Sequence, residues 1–111
     1  MEQVFNKLVR DKIPEIIEKN GEVAETRILD DNEYIKELYK KLLEETNEVV
    51  NSNKSEETLE ELADVFEVIK SIAEVKNKEI EDIAQIAKQK RFKRGGFKQR
   101  IFLEKTYKKP Q

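Results

Sequence analysis

At 111 residues the chain has the length of one domain, and with 41% charged against 37% hydrophobic residues it has little apolar sequence to spare for a core. It has no cysteine, which excludes a disulfide framework, a thiol nucleophile and Cys-ligated zinc, and no histidine, which removes the commonest general base and metal ligand. Catalysis, if any, must run on carboxylates, lysines, tyrosines or a bound hard cation. No apolar run approaches the ~18 residues of a membrane span and no signal-peptide core opens the chain, so the expectation is a cytoplasmic protein with no membrane partner.

The net charge of −2 conceals a segregation. Residues 85–111 carry ten basic side chains against one acidic, leaving 12 basic and 23 acidic in residues 1–84, or charges of +9 and −11. Such a division suits either a nucleic-acid arm or a metal site served by a phosphate clamp.

In chain order, residues 4–12 mix apolar and charged positions without a period and are expected to be extended or irregular. Pro14 fits the first turn of a helix, where its missing N–H costs nothing. Ile13, Ile16 and Ile17 give that helix an apolar side, and Asn20-Gly21 stops it with residues that tolerate a left-handed cap. Residues 23–29 read as a short strand or an extended connector.

Asp30 and Glu33 form a capping-box signature. The helix they start is expected to run to about Val50, with Ile35, Leu38, Leu42 and Val49 on one stripe and Tyr39, Leu43 and Val50 beside it. At about 100° per residue, Glu45 falls inside that apolar arc and Glu48 at its edge. A carboxylate in a core-facing stripe is costly unless something binds it. Residues 51–55 make a polar loop short enough to force an antiparallel return, with Ser55 as the expected cap of the next helix. There Leu59, Leu62, Phe66, Ile69 and Ala73 form the stripe, widened by Val65, Val68 and Ile72. Glu61 intrudes on the widened arc and Asp64 borders it.

A break near Lys76-Asn77-Lys78 precedes a further helix with acidic residues in its first turn and Lys88, Lys90 and Arg91 in its last, as the helix dipole prefers. Gly95-Gly96 ends it, and residues 97–107 are expected to be an extended tail with Phe97, Ile101, Phe102 and Leu103 available for packing.

The chemistry lies in two carboxylate pairs, Glu45 with Glu48 and Glu61 with Asp64, each three residues apart and so on one helix face. Brought together by the antiparallel return, four carboxylates suit Mg²⁺, a hard cation that keeps some of its waters and is used with substrate phosphates. In a chain with 19 glutamates the spacing alone is a weak signal; the intrusion of Glu45 and Glu61 on apolar stripes strengthens it. Arg91 and Arg94, beside the flexible Gly95-Gly96, have the fork that suits phosphate oxygens, and Lys7, Arg10 and Lys12 offer the same chemistry. The plain alternative for both basic groups is solvated surface.

Taken together, three motifs resemble the all-α nucleoside triphosphate pyrophosphohydrolase superfamily, which includes MazG-type enzymes, dimeric dUTPases and phosphoribosyl-ATP pyrophosphohydrolases. They are Glu44-Glu45-x-x-Glu48 followed after twelve residues by Glu61-x-x-Asp64, the opening Asn6-Lys7-Leu8-Val9-Arg10-Asp11-Lys12-Ile13-Pro14, and the closing Lys90-Arg91-Phe92-Lys93-Arg94-Gly95-Gly96-Phe97. The last two look like the stand-alone phosphoribosyl-ATP pyrophosphohydrolase-like branch. The resemblance spans nearly the whole chain. It implies a single all-α domain over residues 1–111, a helical bundle with a four-helix metal-binding core completed in a homodimer or dimer of dimers. It implies hydrolysis of a nucleotide between the α- and β-phosphates, giving a monophosphate and pyrophosphate. Glu45, Glu48, Glu61 and Asp64 would hold Mg²⁺, with Mn²⁺ as a substitute. Glu44 and Glu45 would be the catalytic carboxylates, Glu44 orienting or deprotonating water. Lys7, Arg10, Lys12, Lys88, Arg91 and Arg94 would bind the substrate's phosphates. The alternatives are phosphoribosyl-ATP hydrolysis in histidine biosynthesis and, from another class, a non-catalytic helical module that binds nucleic acid through its basic C-terminal segment. The second is disfavoured because two of the phenylalanines accompanying those charges are expected to be needed for packing.

Overall fold

A computed structural model describes residues 1–111 and holds four helices and no strand: α1 (Ile13–Lys19), α2 (Asp31–Asn51), α3 (Ser55–Val75) and α4 (Ile80–Arg94). The all-α class expected from the sequence is therefore present. The chain divides into two compact units, Met1–Ile80 and Glu81–Gln111.

In the first unit, residues 1–10 form no regular element and Pro14 sits in the first turn of α1. The left-handed residue after α1 is Gly21, at φ +90°, while Asn20 stays at φ −88°. Residues 22–30 are an extended connector without strand pairing. At the start of α2 the Asp30 side chain accepts the Glu33 N–H at 2.9 Å, as a cap should. Glu33 turns mainly to Arg27, whose guanidinium grips its carboxylate through two hydrogen bonds of 2.8 and 3.1 Å. Arg27 and, less strongly, the Asp30 backbone hold the Glu33 carboxyl below its ordinary pKa.

Within residues 1–80, α2 and α3 are the helices that pack on each other. Their connection is three residues long, so the return is antiparallel. The expected Ser55 cap is not formed. Lys54 occupies the cap position without a side-chain bond, and Ser55 is already helical. Two other hydroxyls tie the turn instead. Ser52 Oγ donates to the Val49 carbonyl at 2.7 Å and meets Thr58 Oγ1 at 2.6 Å.

An antiparallel return about Asn53 pairs residues equidistant from it. Leu38 and Val68 each lie 15 residues away, and with Ala73 they are the buried apolar side chains. Glu45 and Glu61 each lie eight residues away, about 10 Å nearer the turn at 1.5 Å per residue. The hairpin therefore stacks an apolar layer and a carboxylate layer along one seam.

The seam uses a different part of α3 from the one expected. Val68 and Ala73 are buried and Val65, Ile69 and Ile72 half-buried, whereas Leu59, Leu62 and Phe66 are 67%, 46% and 55% exposed. The apolar arc of α3 is wider than one partner helix covers, and α2 covers the Val65–Val68–Ile72 side. On α2, Leu38 is buried and Ile35, Leu42 and Val49 are half-buried as expected, while Tyr39, Leu43 and Val50 are exposed.

In the second unit, α4 has acidic side chains in its first turn and Arg91, Lys93 and Arg94 in its last. It ends at Gly95, which has φ +82° and donates its N–H to the Arg91 carbonyl at 2.8 Å. The tail residues expected to pack, Phe97, Ile101, Phe102 and Leu103, are all exposed. The two glycines separate in a substitution test. A Cβ on Gly96 meets nothing closer than 3.9 Å, whereas one on Gly95 is strained by its left-handed backbone. Gly95→Ala is expected to destabilise the end of α4 by about 1–2 kcal/mol and Gly96→Ala to leave it nearly unchanged, as read by helicity across a urea titration.

No helix is long and apolar enough to cross a membrane.

Candidate metal centre

The carboxylate layer brings Glu45 from α2 together with Glu61 and Asp64 from α3. One oxygen from each lies within 4.8 Å of the others, and all three side chains are half-buried. The donors are all hard oxygens, from two helices, and the chain has no imidazole or thiolate to join them. That set fits Mg²⁺ or Mn²⁺ and disfavours a zinc or copper preference.

The three carboxylates differ in their counter-charges. Arg10 Nη2 donates to Asp64 Oδ1 at 2.7 Å. Lys41 Nζ stands 3.6 Å from both Glu44 Oε1 and Glu45 Oε1. The Lys41 and Glu45 side chains are only 18% and 15% exposed, so the glutamate placed in the apolar arc is well covered. Glu61 makes no ion pair. Loss of water around it, then the charges of Asp64, Glu48, Glu45 and Glu57, push its carboxyl above the ordinary pKa. An uncompensated carboxylate facing two others is the local strain that a bound cation relieves.

A cleft of about 250 Å³ opens on this layer, lined by Lys7, Val9, Arg10, Ile13, Lys41, Glu45 and Asp64. Lys7 holds Glu44 at 3.8 Å and lies 5.9 Å from the Phe5 ring centre. The irregular N-terminal segment therefore crosses the hairpin at its carboxylates, carrying two of the cations expected to bind phosphate. Lys12, the third, serves as the backbone cap of α1 and does not line the cleft.

Of the four expected ligands, the structure gathers three. Glu48 is exposed on α2 and outside the trio, although its charge reaches Glu61. Glu44 is exposed and bridges Lys7 and Lys41. Among residues 81–111, Arg91 and Arg94 line a separate cleft of about 510 Å³ with Gly95, Gly96, Phe97, Lys98, Gln99 and Ile101, and Lys88 is not in it. Lys41 is the site residue that the sequence reading missed. Its spacing four residues before Glu45, on the half-buried side of α2, was the available signal.

Compared with known proteins, the chain matches no family model, no curated protein and no solved structure.

Proposed function

We propose that the protein is a Mg²⁺-dependent nucleotide pyrophosphohydrolase, resembling the all-α nucleoside triphosphate pyrophosphohydrolases. The observation that carries this reading is the convergence of Glu45, Glu61 and Asp64, with their oxygens within 4.8 Å, beside a cleft that Glu45 and Asp64 line together with Lys7, Arg10 and Lys41. Carboxylates alone would suit a cation and cations alone an anion. A cleft with both suits a metal–polyphosphate pair.

In this reading Glu45, Glu61 and Asp64 hold the ion and Glu48 borders it as the fourth carboxylate. When bound, the ion supplies charge neutralisation for the polyphosphate and lowers the pKa of attacking water. The chain's own residues do the rest. Lys7, Arg10 and Lys41 attract and orient phosphate oxygens at the cleft. Glu44 accepts the water proton once its lysine partners turn to substrate. Lys88, Arg91 and Arg94 remain proposed phosphate ligands. The products are a nucleoside monophosphate and pyrophosphate. The exposed stripe of Leu59, Leu62 and Phe66 supports a homodimer or dimer of dimers, in which a second hairpin completes a four-helix core.

The test is product release from canonical and damaged nucleoside triphosphates and phosphoribosyl-ATP, with Mg²⁺ and with EDTA. Pyrophosphate that appears only with metal supports the proposal, and phosphoribosyl-ATP as the preferred substrate would select the histidine-pathway alternative. Orthophosphate as the sole product would move cleavage to another anhydride bond.

One observation favours the second reading. Phe92, Phe97, Phe102 and Tyr107 stand exposed among the cations of residues 88–109, a pattern that single-stranded nucleic acid can stack on. A steep salt dependence of binding to generic single strands, without turnover of any nucleotide, would select it.

A further inference from the structure

The contact between Arg10 and Asp64 has a consequence for metal binding, and the inference rests on the proposed metal centre. We propose that Arg10 is the built-in counter-cation of the site, paired with Asp64 in the metal-free protein, and that a divalent ion must displace it to bind.

Asp64 Oδ1 accepts from the guanidinium at 2.7 Å, a charge-assisted bond across 54 residues of sequence. Asp64 is the carboxylate a metal would share with Glu45 and Glu61, and the guanidinium already occupies one of its two oxygens and offsets its charge. It also places a second positive charge within a few ångströms of the guanidinium, where repulsion is felt even at high effective dielectric. The two cations therefore compete for one carboxylate.

The other basic neighbours do not stand in the same relation to the trio. Lys41 stays at 3.6 Å from Glu45, beyond hydrogen-bond reach, and belongs to the same helix. Lys7 is paired to Glu44, which is outside the trio. Arg10 alone pairs with a member of the trio from a segment with no regular structure. The Arg10 carbonyl is tied to the first N–H of α1, and the side chain can swing away without breaking that bond or unwinding a helix.

Displacement also orders events. Once released, the guanidinium is free at the mouth of a cleft that then carries a metal charge, with its fork available to an incoming phosphate. Arg10 thus changes partner from a protein carboxylate to a substrate anion as the metal enters.

The competition is modest in size, because the pair is 57% exposed on the arginine side and 40% on the aspartate side. Exposed ion pairs correspond to about a 1.5- to 5-fold change in an equilibrium.

The test is a Mn²⁺ titration of the intact protein at low ionic strength, with free Mn²⁺ read by electron paramagnetic resonance. Wild type is compared with Arg10→Gln and with Lys12→Gln, which removes a charge two residues away but no ion pair to the trio. The expected result is Mn²⁺ binding about 3- to 5-fold tighter in Arg10→Gln, with Lys12→Gln staying within twofold of wild type. Binding to Arg10→Gln but not to wild type would support displacement in its strongest form. Equal or weaker binding in Arg10→Gln, or the same tightening in both variants, would overturn displacement and leave the metal centre standing. No Mn²⁺ binding by any of the three proteins would overturn the metal centre, and the inference with it.

Discussion

Glu61→Gln is expected to make the metal-free protein more stable and, under the proposed function, to slow metal-dependent turnover at least about 100-fold, since substitutions one shell further from a metal already cost about 10- to 100-fold. The two effects share one cause. Glu61 has no cation partner and faces Asp64, Glu48 and Glu45, so its charge is unfavourable in the metal-free protein, and a bound cation would offset it. The pH dependence has a definite sign. The folded-state pKa of Glu61 is raised, so between its unfolded and folded values the native state binds more protons. Its contribution to stability therefore falls as pH rises through that window. The destabilisation is absent below the unfolded pKa and complete above the folded one. Glu61→Gln and wild type should converge in stability on acidification and separate toward neutral pH, as measured by urea unfolding in EDTA. A variant less stable than wild type at neutral pH would show that Glu61 is structurally paired instead.

Leu38→Ala carries the largest expected effect on stability. Leu38 is 3% exposed and shares the buried apolar set with only Val68 and Ala73. Truncating such a leucine costs about 2–5 kcal/mol, against a total of about 5–15 kcal/mol for an ordinary domain. Residues 1–80 should lose most of their cooperative unfolding transition, read by helicity and by the thermal midpoint. The contrast with the exposed stripe is informative. Leu62→Ala and Phe66→Ala remove side chains that this chain leaves about half exposed, so a monomer would hardly register either change. Under the proposed homo-oligomer, both variants lower a midpoint that rises with protein concentration. A concentration-independent midpoint in wild type would contradict self-association.

The hairpin was legible in the sequence because its signals agree. Asp30 caps α2, the loop at residues 52–54 is too short for anything but a return, and the 3.6-residue period puts Leu38 inside. The same period, folded back about Asn53, places Glu45 opposite Glu61. Two kinds of feature were not legible. One is the choice of side on a wide apolar arc. Periodicity shows that α3 is apolar over more than one partner's width, but only packing decides that Val68 goes in and Phe66 stays out. The other is any contact between distant segments without a period. Nothing in residues 4–12 announces that Arg10 will meet Asp64, because an irregular segment has no face to extrapolate. Ser55 failed as a cap for a local reason: the helix begins one residue earlier than the polar run suggests, and Ser52 and Thr58 tie the turn with each other. The tail phenylalanines are apolar enough to be expected in a core, yet Phe97 and Phe102 both stand exposed.

The central claim is that α2 and α3 are joined at their carboxylate layer by a divalent ion. Calorimetric titration of Mg²⁺ into wild type and into Glu61→Gln tests it most directly. The account predicts saturable binding to wild type, strongly weakened in the variant, together with a metal-dependent rise in thermal midpoint that only wild type shows. A folded wild-type protein without saturable Mg²⁺ binding, or a variant that binds as well as wild type, would contradict it.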